Sequence, residues 1–202
     1  MPVWVRNRLT FDGDKMEIDR LLQAVRYDVD ENDYTQDYRG LGSIDFDKVI
    51  PLRCYFGASD VFHERKMLWG TERNSRHTRP YNGDYKVVFD TADGVPDGIL
   101  ESLSKQFPTL TILHEYATGF VNDCAGRLLY RGGEVVEREQ MGKDSRQSTN
   151  KREVELICEL WDGCSPHDWG YELDETGNYV MTGEVAQRAC FMENTDGNEG
   201  SE

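Results

Sequence analysis

The sequence predicts an α+β fold, a split βαβ sandwich whose antiparallel sheet carries two helices on one face. Three observations predict it. Apolar residues alternate at Val3, Val5, Leu9 and Phe11, interrupted by polar Asn7, at Tyr85, Val87 and Phe89, and at Leu110, Ile112 and Tyr116, with His114 in the same row. They recur at helical spacing in Ile18, Leu21, Leu22, Val25 and again in Ile99, Leu100, Leu103, Phe107. These segments alternate as β-α-β, a long insert, then β-α-β.

The first strand ends at the Asp12-Gly13 turn, where Asp14 can cap a helix over 14–26 with Glu17 reaching back to close a capping box. Residues 27–42 are acidic, with tyrosines interspersed and glycines at 40 and 42, and read as an exposed loop. SIDFDKVIP over 43–51 places Ile44, Phe46 and Lys48 on one side, which predicts a short edge-like strand stopped by Pro51. An insert over 52–84 follows. Pro96 opens the second helix and Pro108 ends it. Arg131-Gly132-Gly133 joins an extra hairpin, 125–130 with 134–138. The order is that of a ferredoxin-like domain over 1–140.

Beyond the polar run GKDSRQSTN, Asn150 and Glu153 can cap a helix striped by Val154, Ile157, Cys158 and Trp161. YELDETGNYVMTG then reads as a hairpin turning near Thr176-Gly177-Asn178. Residues 150–192 form a C-terminal extension, and the acidic tail 193–202 has too little apolar area to order itself.

Of 202 residues, 38% are apolar and 30% charged, a balance that supports a core and a soluble surface. No run approaches the ~20 apolar residues that cross a bilayer, so a cytoplasmic protein is expected. The five cysteines are scattered, without CxxC spacing, and read as reduced thiols. The net charge of −15 is concentrated in residues 153–202, which hold thirteen acids against Arg188 alone. That field repels long nucleic acid and favours approach to a basic surface.

Catalytic signatures are missing from this pattern. There is no GxSxG and no GxxxxGK[ST]. Cys158, Cys164, His167 and Cys190 make a weak zinc set, because Cys158 lies on an apolar helical stripe. No metal or cofactor is expected. Residues 61–80 form the one basic patch, where Arg73, Arg76 and Arg79 could bind phosphate while Trp69 or Tyr81 stacks on a base. With His63 and His77 the same patch could cleave RNA. In the extension, Asp162, Asp168, Glu172, Asp174 and Glu175 supply carboxylates. Trp169 and Tyr171 supply aromatic area beside them.

PVWVRNRLTFDG, SIDFDKVIP, WGTERNS and VVFDTADGVPDGILESLSKQFPTLTILHEYA, in that order over about residues 1–138, resemble the YubB-type ferredoxin-like domain family of phage and plasmid genes. Val5 and the stretch TERNSRH depart from the family pattern, which argues against obligatory chemistry there. The resemblance implies a mobile genetic element and no assigned reaction. The expectation is a non-enzymatic inhibitor whose acidic extension covers a basic nucleic-acid channel of a host immune complex, such as a CRISPR effector. The alternative is a nucleotide- or RNA-binding protein that uses the patch at 61–80.

Overall fold

A computed structural model describes residues 2–26, 44–52, 58–79, 85–142, 151–161 and 165–182, with the backbone alone at 58–60 and 77–79. The loop read at 27–42, the tail 193–202, and Tyr81, Asp162, Cys164 and Cys190 lie outside these residues.

Strand β1 (Trp4–Asp12) leads into helix α1 (Lys15–Val25), capped by Asp14, whose carboxylate accepts from the Glu17 backbone N–H at 3.1 Å. Glu17 does not close the box. Its carboxylate instead accepts from the Thr109 hydroxyl. Helices α2 (Phe46–Val49) and α3 (Ala58–Trp69) follow, then strands β2 (Arg76–Arg79) and β3 (Lys86–Ala92), helix α4 (Asp97–Gln106), and strands β4 (Thr111–Thr118), β5 (Cys124–Arg131) and β6 (Glu134–Gly142). Helix α5 (Lys151–Trp161), a 3-10 turn (Pro166–Trp169) and strands β7 (Tyr171–Leu173) and β8 (Tyr179–Met181) complete the described chain.

Six strands form one antiparallel sheet in the order β2-β3-β1-β4-β5-β6. The first four positions are the ferredoxin-like order, and β5 and β6 widen the sheet beyond β4. On one face Leu9, Val87, Phe89, Ile112, Leu128 and Tyr130 pack with Ile18, Leu21 and Leu22 of α1 and with Ile99, Leu100 and Leu103 of α4.

The strand expected at 43–51 is a correction. Asp45 caps a single helical turn by accepting from the Asp47 N–H at 3.1 Å, and Phe46 and Val49, three apart, are buried together. Lys48 leaves the apolar set and donates to the Arg26 carbonyl at 2.5 Å. The second strand of the ferredoxin-like order is instead β2, from the segment RHTR, which pairs with β3 at Arg76↔Asp90 and Arg79↔Val88. The basic segment at 61–80 is therefore helix and edge strand. It is fastened to the core by Trp69, fully buried, whose indole N–H donates to the Ile50 carbonyl at 2.9 Å.

Helix α5 covers the opposite face, over Ala117, Ala125 and Met141, and builds a second core from Val154, Leu156, Ile157, Cys158, Leu160, Trp169 and Tyr171. Glu153 is also buried, and its carboxylate accepts from the Asn122 backbone N–H at 2.6 Å. Burial pushes its pKa up, partly countered by the N–H groups of Asn122 and Asp123. A raised carboxyl pKa contributes stability below the ordinary value near 4.5, and that contribution is lost as pH rises through the folded value. Glu153→Gln keeps an acceptor and removes the charge. Its stability relative to the parent should improve from pH 4 to pH 7 in denaturant titrations; a constant difference would contradict this.

Candidate functional site

The acidic extension is held by its aromatic residues. Ser165 and Asp168 close a capping box around the 3-10 turn: Asp168 Oδ2 accepts from the Ser165 N–H at 2.8 Å and from its hydroxyl at 2.7 Å. Gly170 then adopts φ 76°, a left-handed conformation that glycine takes at least cost, and this turns the chain into β7. Trp169 and Tyr171 are 5% and 7% exposed against the α5 layer. Their rings are turned inward, because the apolar strip of Ala117, Ala125 and Met141 beside α5 needs cover. Trp169 therefore anchors the hairpin and does not offer its ring to a partner.

Strands β7 and β8 pair at Tyr171↔Met181, Glu172↔Val180 and Leu173↔Tyr179. Asp174 builds the turn between them, with Oδ1 accepting from the Thr176 N–H at 2.8 Å, the Thr176 hydroxyl at 2.7 Å and the Asn178 N–H at 3.0 Å. The Ser165 hydroxyl and N–H hold the Asp168 carboxyl below the ordinary carboxylate range. The Thr176 hydroxyl and the Asn178 N–H do the same for Asp174. Both stay ionised and fixed in place, while Glu172 and Glu175 project as exposed side chains. From Ser165 to Thr182 there are four acids and no lysine or arginine. Of the carboxylates read from the sequence, the structure thus gathers Asp168, Glu172, Asp174 and Glu175 on one small element.

The basic patch does not assemble in the same way. The Arg65 guanidinium lies 5.2 Å from the Trp69 ring centroid, and Lys66 donates to the Asp93 carbonyl. Arg76 stacks 4.3 Å over Trp4, while Arg73 is exposed. The Arg79 and His77 side chains lie outside the described residues. Trp69, being buried, has no face for a base. His63 is exposed on α3 and His167 on the 3-10 turn; among the described residues no group of three His, Cys, Asp or Glu side chains could hold a metal.

A third assembly had no signal in the sequence. Residues in register across four strands form a row of alternating charge: Arg8 on β1, Glu115 on β4, Arg127 on β5 and Glu139 on β6. Arg8 reaches Glu115 at 2.6 Å and Arg127 reaches it at 2.9 Å. Helix α5 clamps both ends, with Glu159 on Arg8 at 3.1 Å and Arg152 on Glu139 at 2.7 Å. One row away, Arg6 pairs with Asp90 at 2.9 Å and stacks 4.3 Å over Trp161. These contacts seat the extension on the sheet. The shallow groove beside the row, about 520 Å³, is lined by Arg127, Arg138 and Arg152 against Glu115, Glu137 and Glu139, so it has no net charge to select an anion.

Residues 68–159 match the family model described as the ferredoxin-like domain in Api92-like protein. The match begins at the end of α3 and runs into α5. A crystal structure of a protein api92 from Yersinia pseudotuberculosis aligns with 70% of this chain and 99% of its own, at 14% sequence identity and a TM-score of 0.47. No curated protein matches the chain. Among the described residues no helix is long and apolar enough to cross a membrane.

Proposed function

We propose that this chain is a non-catalytic binding protein whose β7–β8 hairpin presents a pre-organised acidic surface to a cationic protein. The observation that carries the reading is the division of labour in the hairpin. Trp169 and Tyr171 hold it against α5, and internal hydrogen bonds fix Asp168 and Asp174 as ionised carboxylates beside the projecting Glu172 and Glu175. Fixing charges before encounter lowers the ordering cost of binding, and a single-sign patch steers association with an opposite one. The ferredoxin-like body serves as the scaffold.

The resemblance to YubB-type proteins, with its mobile-element setting, supports the specific form we propose: an inhibitor that occupies the nucleic-acid-binding surface of a host defence complex. Cytoplasmic action goes with that form. The test is co-purification of tagged full-length protein from its host. A protein partner should be retained at about 50 mM salt and released at several hundred millimolar. Glu172→Gln with Glu175→Gln should weaken capture roughly tenfold. Retention of nucleic acid in place of protein, or capture indifferent to both salt and these glutamates, would overturn the reading.

A further inference from the structure

Strand β6 is one of the two edges of the main sheet and much the longer, nine residues against four in β2. Every second residue of such an edge turns its N–H and C=O groups away from the sheet, and among the described residues no strand pairs with them. The strand contains neither proline nor lysine, the residues that most often blunt an edge. Its one irregularity is the register shift beside Leu129 and Tyr130, where Val136 is the extra residue. From Glu137 onward the ladder is regular, and Glu137, Arg138 and Gln140 are exposed along it.

The side chains decide which strand can join this edge. Glu137 and Glu139 lie on the α5 face, and Arg138 lies on the other, where its charge acts on Asp97 of α4. A second copy of β6 is a poor match, because antiparallel pairing centred on Glu137, Arg138 or Glu139 sets that residue against its own twin. A cationic strand meets no such repulsion. Glu139 is held by Arg152, and Glu115 by Arg8 and Arg127, but among the described residues Glu137 makes no ion pair. Glu137 lines the groove of about 520 Å³ with Leu113 and Leu129, which continue its row across the sheet and offer apolar surface to the stem of a long cationic side chain. We propose that β6 takes up an extended basic segment of a partner protein by strand addition, with lysine or arginine side chains opposite Glu137 and Glu139. This surface is separate from the β7–β8 hairpin and does not depend on it.

The probe is a fluorescein-labelled heptapeptide that alternates threonine with lysine, titrated into the full chain. Its control carries a methyl group on every backbone amide, which keeps the charge and removes the donors. The plain peptide should bind at least about tenfold tighter than the control. It should slow hydrogen exchange at the amides of 134–142 and not at those of 171–181. Glu137→Lys, at an exposed position, should erase the advantage of the plain peptide. Glu172→Gln with Glu175→Gln should leave that advantage intact, so this site and the hairpin are read separately. Equal affinity for the two peptides, no binding by either, or an advantage that survives Glu137→Lys overturns strand addition. Protection of β6 in a dimer of the chain without peptide would make a second copy the occupant and overturn it as well.

Discussion

Between pH 6.5 and pH 3 the protein should lose stability more steeply than a variant carrying Gln at position 114. His114 on β4 is fully buried between the rings of Tyr116 and Tyr130, with centroids 5.1 and 6.4 Å away. Its Nε2 lies 2.9 Å from Asn7 Oδ1. The Asn7 amide is oriented by its own donation to the Val5 carbonyl and the Thr91 hydroxyl oxygen, each at 2.9 Å, so Oδ1 accepts and the His114 proton sits on Nε2. Nδ1 has no partner among the described residues.

Burial lowers the His114 pKa from 6.5 to about 3. A depressed folded value means that the unfolded chain takes up a proton first as pH falls. The stability present above pH 6.5 is thus lost at about 1.4 kcal/mol per pH unit, roughly 5 kcal/mol over the window. His114→Gln keeps a donor for Asn7 and cannot titrate. Denaturant titrations at stepped pH should give the variant a slope shallower by one proton; parallel slopes would show that His114 does not titrate as its burial requires.

Gly98→Ala should be the most damaging conservative substitution in the body. A Cβ at position 98, in the first turn of α4, would lie 2.0 Å from the Leu68 carbonyl oxygen and 3.1 Å from its carbon at the end of α3. Both are backbone atoms, so no rotamer change relieves the clash, and the two helices must part. Trp69, buried next to Leu68, would be displaced with them, and the fastening of the 58–79 segment with it. Overpacking of this kind costs about 3 kcal/mol. For a chain of this size that corresponds to a fall in Tm of roughly 6–12 °C. An unchanged Tm would mean that α3 and α4 do not approach so closely in solution.

These two sites show what the sequence makes legible. His114 falls on the alternating apolar side of its strand, so its burial is readable from period alone; the partner that orients it, Asn7, is 107 residues away and is readable only once β1 and β4 are in register. Strands with clean alternation and helices with a full stripe emerge where expected. The segment 43–51 does not, because short apolar runs fit either period, and Asp45 as a cap decides for helix. Helix α3 and strand β2 were illegible for a different reason. The edge strand RHTR has no apolar alternation, and α3 commits Trp69 to the core without a stripe.

At the candidate site the carboxylates and the hairpin were visible, but the direction of the aromatics was not. Trp169 and Tyr171 look like contact residues in the sequence. Only the apolar strip beneath α5, contributed by β4, β5 and β6, shows why they turn inward. The charge row Arg8, Glu115, Arg127, Glu139 is a product of register among four strands, and no local pattern announces it.

Whether a cationic protein reads the β7–β8 carboxylates is most directly measured by quantitative capture with two full-length variants beside the parent. Reversing Glu172 and Glu175 to Lys should abolish retention of the partner, while Arg73→Ala, on the opposing basic segment, should leave it unchanged. Loss of capture by Arg73→Ala with full retention by the reversed hairpin would place recognition on the cations instead and contradict the account.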